Sequence, residues 1–437
     1  MGQIKSIMNI LILTSNNPYK NSGIIAYNLY KSLKEKEHLV TIIVAEHEKH
    51  IEEDIISINS SLDILIHKIK RKSRKIIKSI FSFKKKGIKL NNIYAINDYD
   101  NSKQNYSTKS ILRKLKTKPD AILYLFPNKF LNLENLYELN KATGAPIYWY
   151  LMDPAALTGG CHYFWDCNRY ITGCGKCPGM YSNDVNDQSA LNIEFKKKYI
   201  DKTDIHLLAG TERLLKQSKE SLLFKSKPVH KLMLPVDDKV FKPLINNNNV
   251  RSQFDIPNGI KVLFFGSTFI EEIRKGMSYL VKALKFVQEQ NKDLELILLI
   301  AGNNIDSIKA ELPFEYRYVN MLKNNEELAS AFQAADFYIC PSIEDAGPFM
   351  INQSVMSGTP VISFEMGIAN DLVIPNRTGF LAELKNTNDL GNKIIEAMSL
   401  NDKELLEMST NCRNLGLELL SQSVFVANVE KIFINKQ

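Results

Sequence analysis

Three sets of side chains in this chain have the types and spacing to do chemistry. Glu344 and Asp345 are adjacent carboxylates in a loop between a short apolar run and Gly347-Pro348. Upstream, Arg274-Lys275-Gly276 places two cations at the head of a helix, where amide dipoles and fixed positive charge together suit an anion. The third set is sulfur: Cys161, Cys167, Cys174 and Cys177, the last two as Cys-Gly-Lys-Cys. Four thiols so closely spaced can close a tetrahedral zinc site, structural because four protein ligands leave no open position. In a reducing compartment ligation is expected in preference to two disulfides. His162 could replace one ligand, but its place beside Cys161 also fits a side chain turned toward a cleft.

The elements that must position these groups alternate between strand and helix. Residues 337–340 read as a buried strand that stops at Pro341-Ser342. Gly347-Pro348 open a helix, Gly358-Thr359-Pro360 close it, and 361–363 form the next strand. Residues 262–265 read as a strand ending at Gly266-Ser267-Thr268, and 294–300 and 316–319 complete this second set. The first half repeats the alternation, with strands at 10–14, 39–44, 121–126, 146–151, 205–209 and 229–234. Helical patterns occur around Ile25, Leu29 and Leu33, over 131–141 and over 213–223. Such βα alternation implies mostly parallel sheets with helices on both faces. At 437 residues two domains are the default, and the Asn246-Asn247-Asn248-Asn249 tract reads as a loop near their boundary. Ligands of open α/β sheets bind outside the carboxyl ends of strands, so the pattern predicts a polar ligand with an anionic part, read by Glu344.

Pro341, Ser342, Glu344, Gly347 and Gly358-Thr359-Pro360-Val361 together resemble the donor-binding motif of family 4 glycosyltransferases, which have the GT-B fold. The resemblance implies two Rossmann-like α/β domains facing across a cleft. It assigns 1–237 to an acceptor-binding domain with a Cys-rich insertion at 157–180, and 238–415 to a nucleotide-sugar-binding domain. Residues 416–437 would be a helix returning to the first domain. By resemblance Glu344 holds donor sugar hydroxyls, Lys275 and Arg274 neutralise the diphosphate, and Asp153 lines the cleft; these four form the catalytic set. Gly266, Ser267, Asn320, Met321, Asp345, Gly347, Pro348, Phe349 and Asn352 fall on the donor side. Asn352 stands where the family has a second Glu on the ribose, and Ser267 or Thr268 stands where it has a strand-end Arg. Ser22 and Gly23 occupy the place of the family's glycine-rich loop, and Met152 stands where a His is frequent. Leu157-Thr158-Gly159-Gly160-Cys161-His162-Tyr163 is similar to a bacterial capsule and exopolysaccharide subgroup, which puts His162 on the acceptor side and extends through the four cysteines.

Composition sets outer limits. Apolar residues make up 44% and charged residues 24%, ordinary for a globular chain, and no apolar run approaches a bilayer span. The run 7–13 reads as a first buried strand in preference to a signal peptide, so a cytoplasmic location is expected. The net charge of +8 is concentrated between Lys68 and Lys89, with no acidic residue between Asp63 and Asp98. Ile66, Ile69, Ile76, Ile77, Ile80 and Phe81 recur there at helical spacing. A basic amphipathic helix fits anionic lipid headgroups on the inner face of a cell membrane, or a solvated helix facing its own domain. No recognition motif supports nucleic acid. Cys340 and Cys412 stand in apolar surroundings and read as core.

The expectation is therefore a retaining sugar transferase in surface polysaccharide synthesis. Its donor would be a nucleotide sugar and its acceptor a glycan or a lipid-linked sugar, with no catalytic metal. A nucleotide-sugar 2-epimerase on the same fold and a non-catalytic scaffold protein are the rival readings; Met152, Ser267/Thr268 and Asn352 favour the scaffold.

Overall fold

A computed structural model describes residues 7–45, 52–58, 89–244 and 248–434. The basic segment from Lys68 to Lys86 and Asn246-Asn247 lie outside the described residues. The chain divides into two compact units: Met1–Ala209 with Leu215–His230 and Ile432–Gln437, and Gly210–Leu214 with Lys231–Lys431.

The first unit is built on a sheet of seven strands: β1 (Asn9–Thr14), β2 (Leu39–Val44), β3 (Ile55–Ser57), β4 (Ala121–Leu125), β5 (Ile147–Leu151), β6 (Ile205–Ala209) and β7 (Val229–Lys231). Their order is β3-β2-β1-β4-β5-β6-β7. β4 and β5 are buried at every position, as strands covered on both faces must be, and so they read as continuous apolar runs. Helix Leu133–Thr143 begins on a capping box between Asn132 and Asn135 and ends at Gly144 in the left-handed region, both strong local signals. Near the C-terminus, Phe433 stacks on Tyr148 of β5 with ring centroids 4.0 Å apart.

The second unit has six strands: β8 (Lys261–Phe269), β9 (Leu296–Asn303), β10 (Glu315–Val319), β11 (Phe337–Cys340), β12 (Val361–Phe364) and β13 (Gly379–Ala382). Their order is β10-β9-β8-β11-β12-β13, and every neighbouring pair is parallel. In both units the chain winds outward one way from the first strand and then the other way from its neighbour, which creates a switch point. Phe264, Phe332, Tyr338, Ile351 and Val355 belong to the apolar core that fixes β8 and β11 beneath that point; each such side chain contributes about 1.5–3 kcal/mol on burial.

The expected strands are present, with differences at the ends. β8 runs on to Phe269 through an irregularity in its pairing with β9 at Ser267/Phe269. The strand expected at 229–234 stops at Lys231, before Pro235. β3 and β13, of three and four residues, were not foreseen. No helix among the described residues is long and apolar enough to cross a membrane.

Candidate functional site

In the second unit the switch point lies between β8 and β11. β8 is followed by a 3-10 turn, Ile273–Lys275, and Gly276 then caps helix Met277–Gln290 with φ 72°. A side chain cannot replace this glycine easily: a Cβ there would lie 1.7 Å from the Pro341 carbonyl oxygen, and the left-handed backbone already disfavours L residues. The loop after β11 is joined to the same turn, since Ile343 N donates to Arg274 O at 2.8 Å. The sequence thus brings the cation turn and the carboxylate loop into direct contact.

The charged groups there neutralise one another. Lys275 Nζ is 2.7 Å from Asp345 Oδ2, and Arg274 Nη1 donates to the same oxygen. Arg274 Nε and Nη2 donate to the two oxygens of Glu272 at 2.6 and 3.1 Å. Glu344, 5% exposed, accepts from Arg213 Nη2 at 3.3 Å. Burial pushes the Asp345 carboxyl up, but Lys275 and then Arg274 outweigh it and hold the group below its usual value. Gly347 N also donates to Asp345 Oδ1 at 3.1 Å. Taking one partner from such a buried pair costs about 3–5 kcal/mol, so these side chains are held before any ligand arrives. The arrangement offers three cations and two buried carboxylates at the carboxyl end of a parallel sheet.

Glu344, Asp345, Arg274 and Lys275 are therefore gathered as the sequence suggests. Gly347 and Pro348 lead into helix Phe349–Met356 beside them, with Pro348 at its N-cap. Gly266 and Ser267 lie on β8, where Ser267 Oγ donates to Phe269 O at 3.0 Å. Asn352 is 4% exposed on the helix, whereas Asn320 and Met321 are exposed after the edge strand β10. Arg213 and Glu272 were missed. Arg213 reaches Glu344 across 131 positions of sequence, which no local pattern announces.

In the first unit, Asp153 follows β5 and caps the turn Pro154–Ala156, with Oδ1 accepting from Ala155 N at 2.8 Å. Its Oδ2 is 2.8 Å from His162 Nδ1, and His162 Nε2 is 3.2 Å from Asn97 Nδ2. A carboxylate accepts and an amide NH2 donates, so both ring nitrogens find partners when Nδ1 donates to Asp153 and Nε2 accepts from Asn97. His162 thereby has both nitrogens engaged and is not a metal ligand in this arrangement. The ring lines a cavity of about 330 Å³ with Asn97, Asp98, Asn128, Trp149 and Lys196. Lys196 Nζ donates to Ala155 O and Thr158 O at 2.8 Å each; burial pulls this ammonium down to about 8, opposed by Cys174 and Cys161. Neither Asn97 nor Lys196 was foreseen. Gly23 presses on the Asn17 carbonyl, where a Cβ would sit 1.8 Å from the oxygen, and exposed Ser22 accepts from Asn16 Nδ2 at 2.8 Å.

All six cysteines are free thiols. Cys161, Cys167, Cys174 and Cys177 line a single small apolar cavity, while Cys340 and Cys412 are buried in the second unit. Among the described residues, no group of three or more His, Cys, Asp or Glu side chains stands as a ready set of metal ligands.

Comparison with known proteins adds the following. Residues 259–400 match the family model "Glycosyl transferases group 1", a stretch that contains both the cation turn and the carboxylate loop. A curated relative from Escherichia coli, "UDP-Gal:alpha-D-GlcNAc-diphosphoundecaprenol alpha-1,3-galactosyltransferase", is 26% identical over 45% of this chain and 51% of its own length. The chain thus spans about half the length of that relative. Among solved structures, sucrose-phosphate synthase from Thermosynechococcus elongatus superposes with a TM-score of 0.67 at 13% identity, over 98% of each chain. Anabaena HepE in complex with UDP and glucose does so with a TM-score of 0.60 at 13% identity, over 98% of this chain and 100% of that one. These likenesses show the fold expected from the sequence, GT-B.

Proposed function

We propose that this protein is a glycosyltransferase that moves a sugar from a nucleotide-sugar donor, bound by the second unit, to an acceptor bound by the first. The observation that carries the reading is the Arg213, Arg274, Lys275 and Glu344 cluster at the β8/β11 switch point, of which Arg274, Lys275 and Glu344 lie in the stretch that matches the group 1 model. Arg274 and Lys275 would take the diphosphate, since cations already in place need no reorganisation as charge develops on the leaving group. Glu344, fixed by Arg213, would accept hydrogen bonds from sugar hydroxyls, and Asn352 would lie near the ribose.

The finer reading is retention of anomeric configuration. The acceptor oxygen would bond to the anomeric carbon on the face the diphosphate leaves. The electron pair of the broken bond would pass to the diphosphate oxygen, which would also take the acceptor proton. Ion pairing engages Glu344 and Asp345 with cations, which suits them to orientation better than to nucleophilic attack. The Escherichia coli relative acts on a diphosphoundecaprenol-linked sugar, which supports a lipid-linked acceptor here; the role in surface polysaccharide synthesis extends that reading. The basic run 68–89 would suit the membrane surface such an acceptor occupies.

A panel of nucleotide sugars tested for thermal stabilisation, followed by transfer assays with the donor that stabilises, tests the proposal. Ligand at a hundred times its Kd should add about 2.7 kcal/mol. Stabilisation by none of the panel would overturn it, and conversion of UDP-GlcNAc to its epimer without acceptor would favour the epimerase reading.

A further inference from the structure

The four clustered cysteines have no part in the donor site, yet the fold gathers them with care. Cys161 comes from a bridge with Ile96, Cys167 from the following loop, and Cys174 and Cys177 from one tight turn. All four line a cavity of about 20 Å³, room for one atom-sized occupant. The turn that carries the last pair is strained: Gly173, Cys174, Gly175 and Lys176 all have positive φ, at 126°, 62°, 84° and 45°. Non-glycine residues held there cost on the order of 1–3 kcal/mol each and persist only when their surroundings over-determine them.

Those surroundings are visible. Gly175 N donates to Ser189 Oγ at 3.0 Å, Cys177 N to Asp187 Oδ2 at 2.8 Å, and Lys176 N to Asp184 O at 2.7 Å. The backbone amides of Met180 and Gly179 lie within reach of the Cys177 sulfur, and that of Gly159 within reach of Cys174. Buried Lys196 neighbours Cys174 and Cys161, and Arg169 lines the same cavity. Two thiol pairs awaiting disulfides need neither amides aimed at sulfur nor a buried cation. Four thiolates around a divalent metal, with a net charge of minus two, need both.

We propose that Cys161, Cys167, Cys174 and Cys177 bind one structural zinc ion. Such a site requires the four sulfurs to turn into the cavity they share, to bonds of roughly 2.3 Å. Because Cys161 precedes His162, the metal also anchors the Asp153–His162–Asn97 chain at the lip of the larger cavity. The centre is thus a positioning device for the acceptor-side residues.

The full-length chain, purified without added metal or chelator, should contain one zinc per chain by elemental mass spectrometry. The double variant Cys174→Ser/Cys177→Ser should lose that zinc, while Cys412→Ser keeps it. If the double variant fails to fold, cobalt exchange into the wild-type protein is the second measurement: intense thiolate-to-cobalt absorption with tetrahedral bands is expected. Four reduced thiols with no metal under zinc-replete conditions, an intact mass four hydrogens lighter from two disulfides, or zinc retained by a folded double variant would each overturn the proposal. None of these readouts uses donor or acceptor, so they are independent of the sugar-transfer reading.

Discussion

The two sheets share one winding order, outward from β1 in the first unit and from β8 in the second, yet the carboxyl ends of their strands are furnished in different ways. Between β8 and β11 stand three cations and three carboxylates, bound to one another and largely buried. In the first unit, beyond β4 and β5, a roomy cavity is lined by amides, an indole, an imidazole held by Asp153, and both acidic and basic side chains that include Asp98 and Lys196. The same backbone plan thus carries a tight knot of paired charges in one unit and an open cavity of mixed polar lining in the other. Topology decides where a ligand can sit and loops decide which ligand it is.

That contrast can be broken most forcefully at Gly276. Gly276→Ala forces a Cβ onto the Pro341 carbonyl at a positive φ and should cost about 2–4 kcal/mol in chemical denaturation; a melt unchanged from wild type would mean the two loops are not packed as described. Next come Lys275→Ala and Glu344→Ala. Each should lower transfer by at least about tenfold, or 1.4 kcal/mol of barrier, and wild-type turnover in both would reject the charged site.

Asp345→Asn sharpens the comparison. Freed from the carboxylate, Arg274 and Lys275 should bind nucleoside diphosphate more tightly and release it more slowly, seen as a higher affinity with a lower kcat. The same variant carries a pH signature. The folded Asp345 carboxyl lies below its unfolded value, so its stabilisation is present above the ordinary carboxylate range and is lost as pH falls through the folded value. The melting-temperature gap between wild type and Asp345→Asn should shrink in acid below about pH 4; a gap that widens would contradict the ion pairs. The smallest effect belongs to the other unit: Asp153→Asn should raise the acceptor KM by a few-fold, about 1 kcal/mol, and leave donor-induced stabilisation untouched.

The sequence carried the architecture where its signals were local. β11, the Gly347-Pro348 helix start and the Gly358-Thr359-Pro360 stop lie where the residues put them, because apolar runs and turn residues act within a few positions. What escaped depended on distance along the chain. Arg213 meets Glu344 only through the fold, as do Asn97 and His162. Asp345, expected on the donor side, is also the internal partner of Arg274 and Lys275, a contact that only side-chain geometry could reveal. The cysteine spacing was legible, but their convergence with buried Lys196 was not, since α-helix Gln188–Ile200 delivers that lysine from beyond the segment.

The seam between the cation turn and the carboxylate loop has a mechanical consequence. With Gly276 seated against Pro341 and Ile343 hydrogen-bonded to Arg274, neither strand terminus can shift alone. In the proposed reading, any tug on the leaving half of a bound donor would pass at once to the half held for reaction, so grip and aim would be set by a single joint.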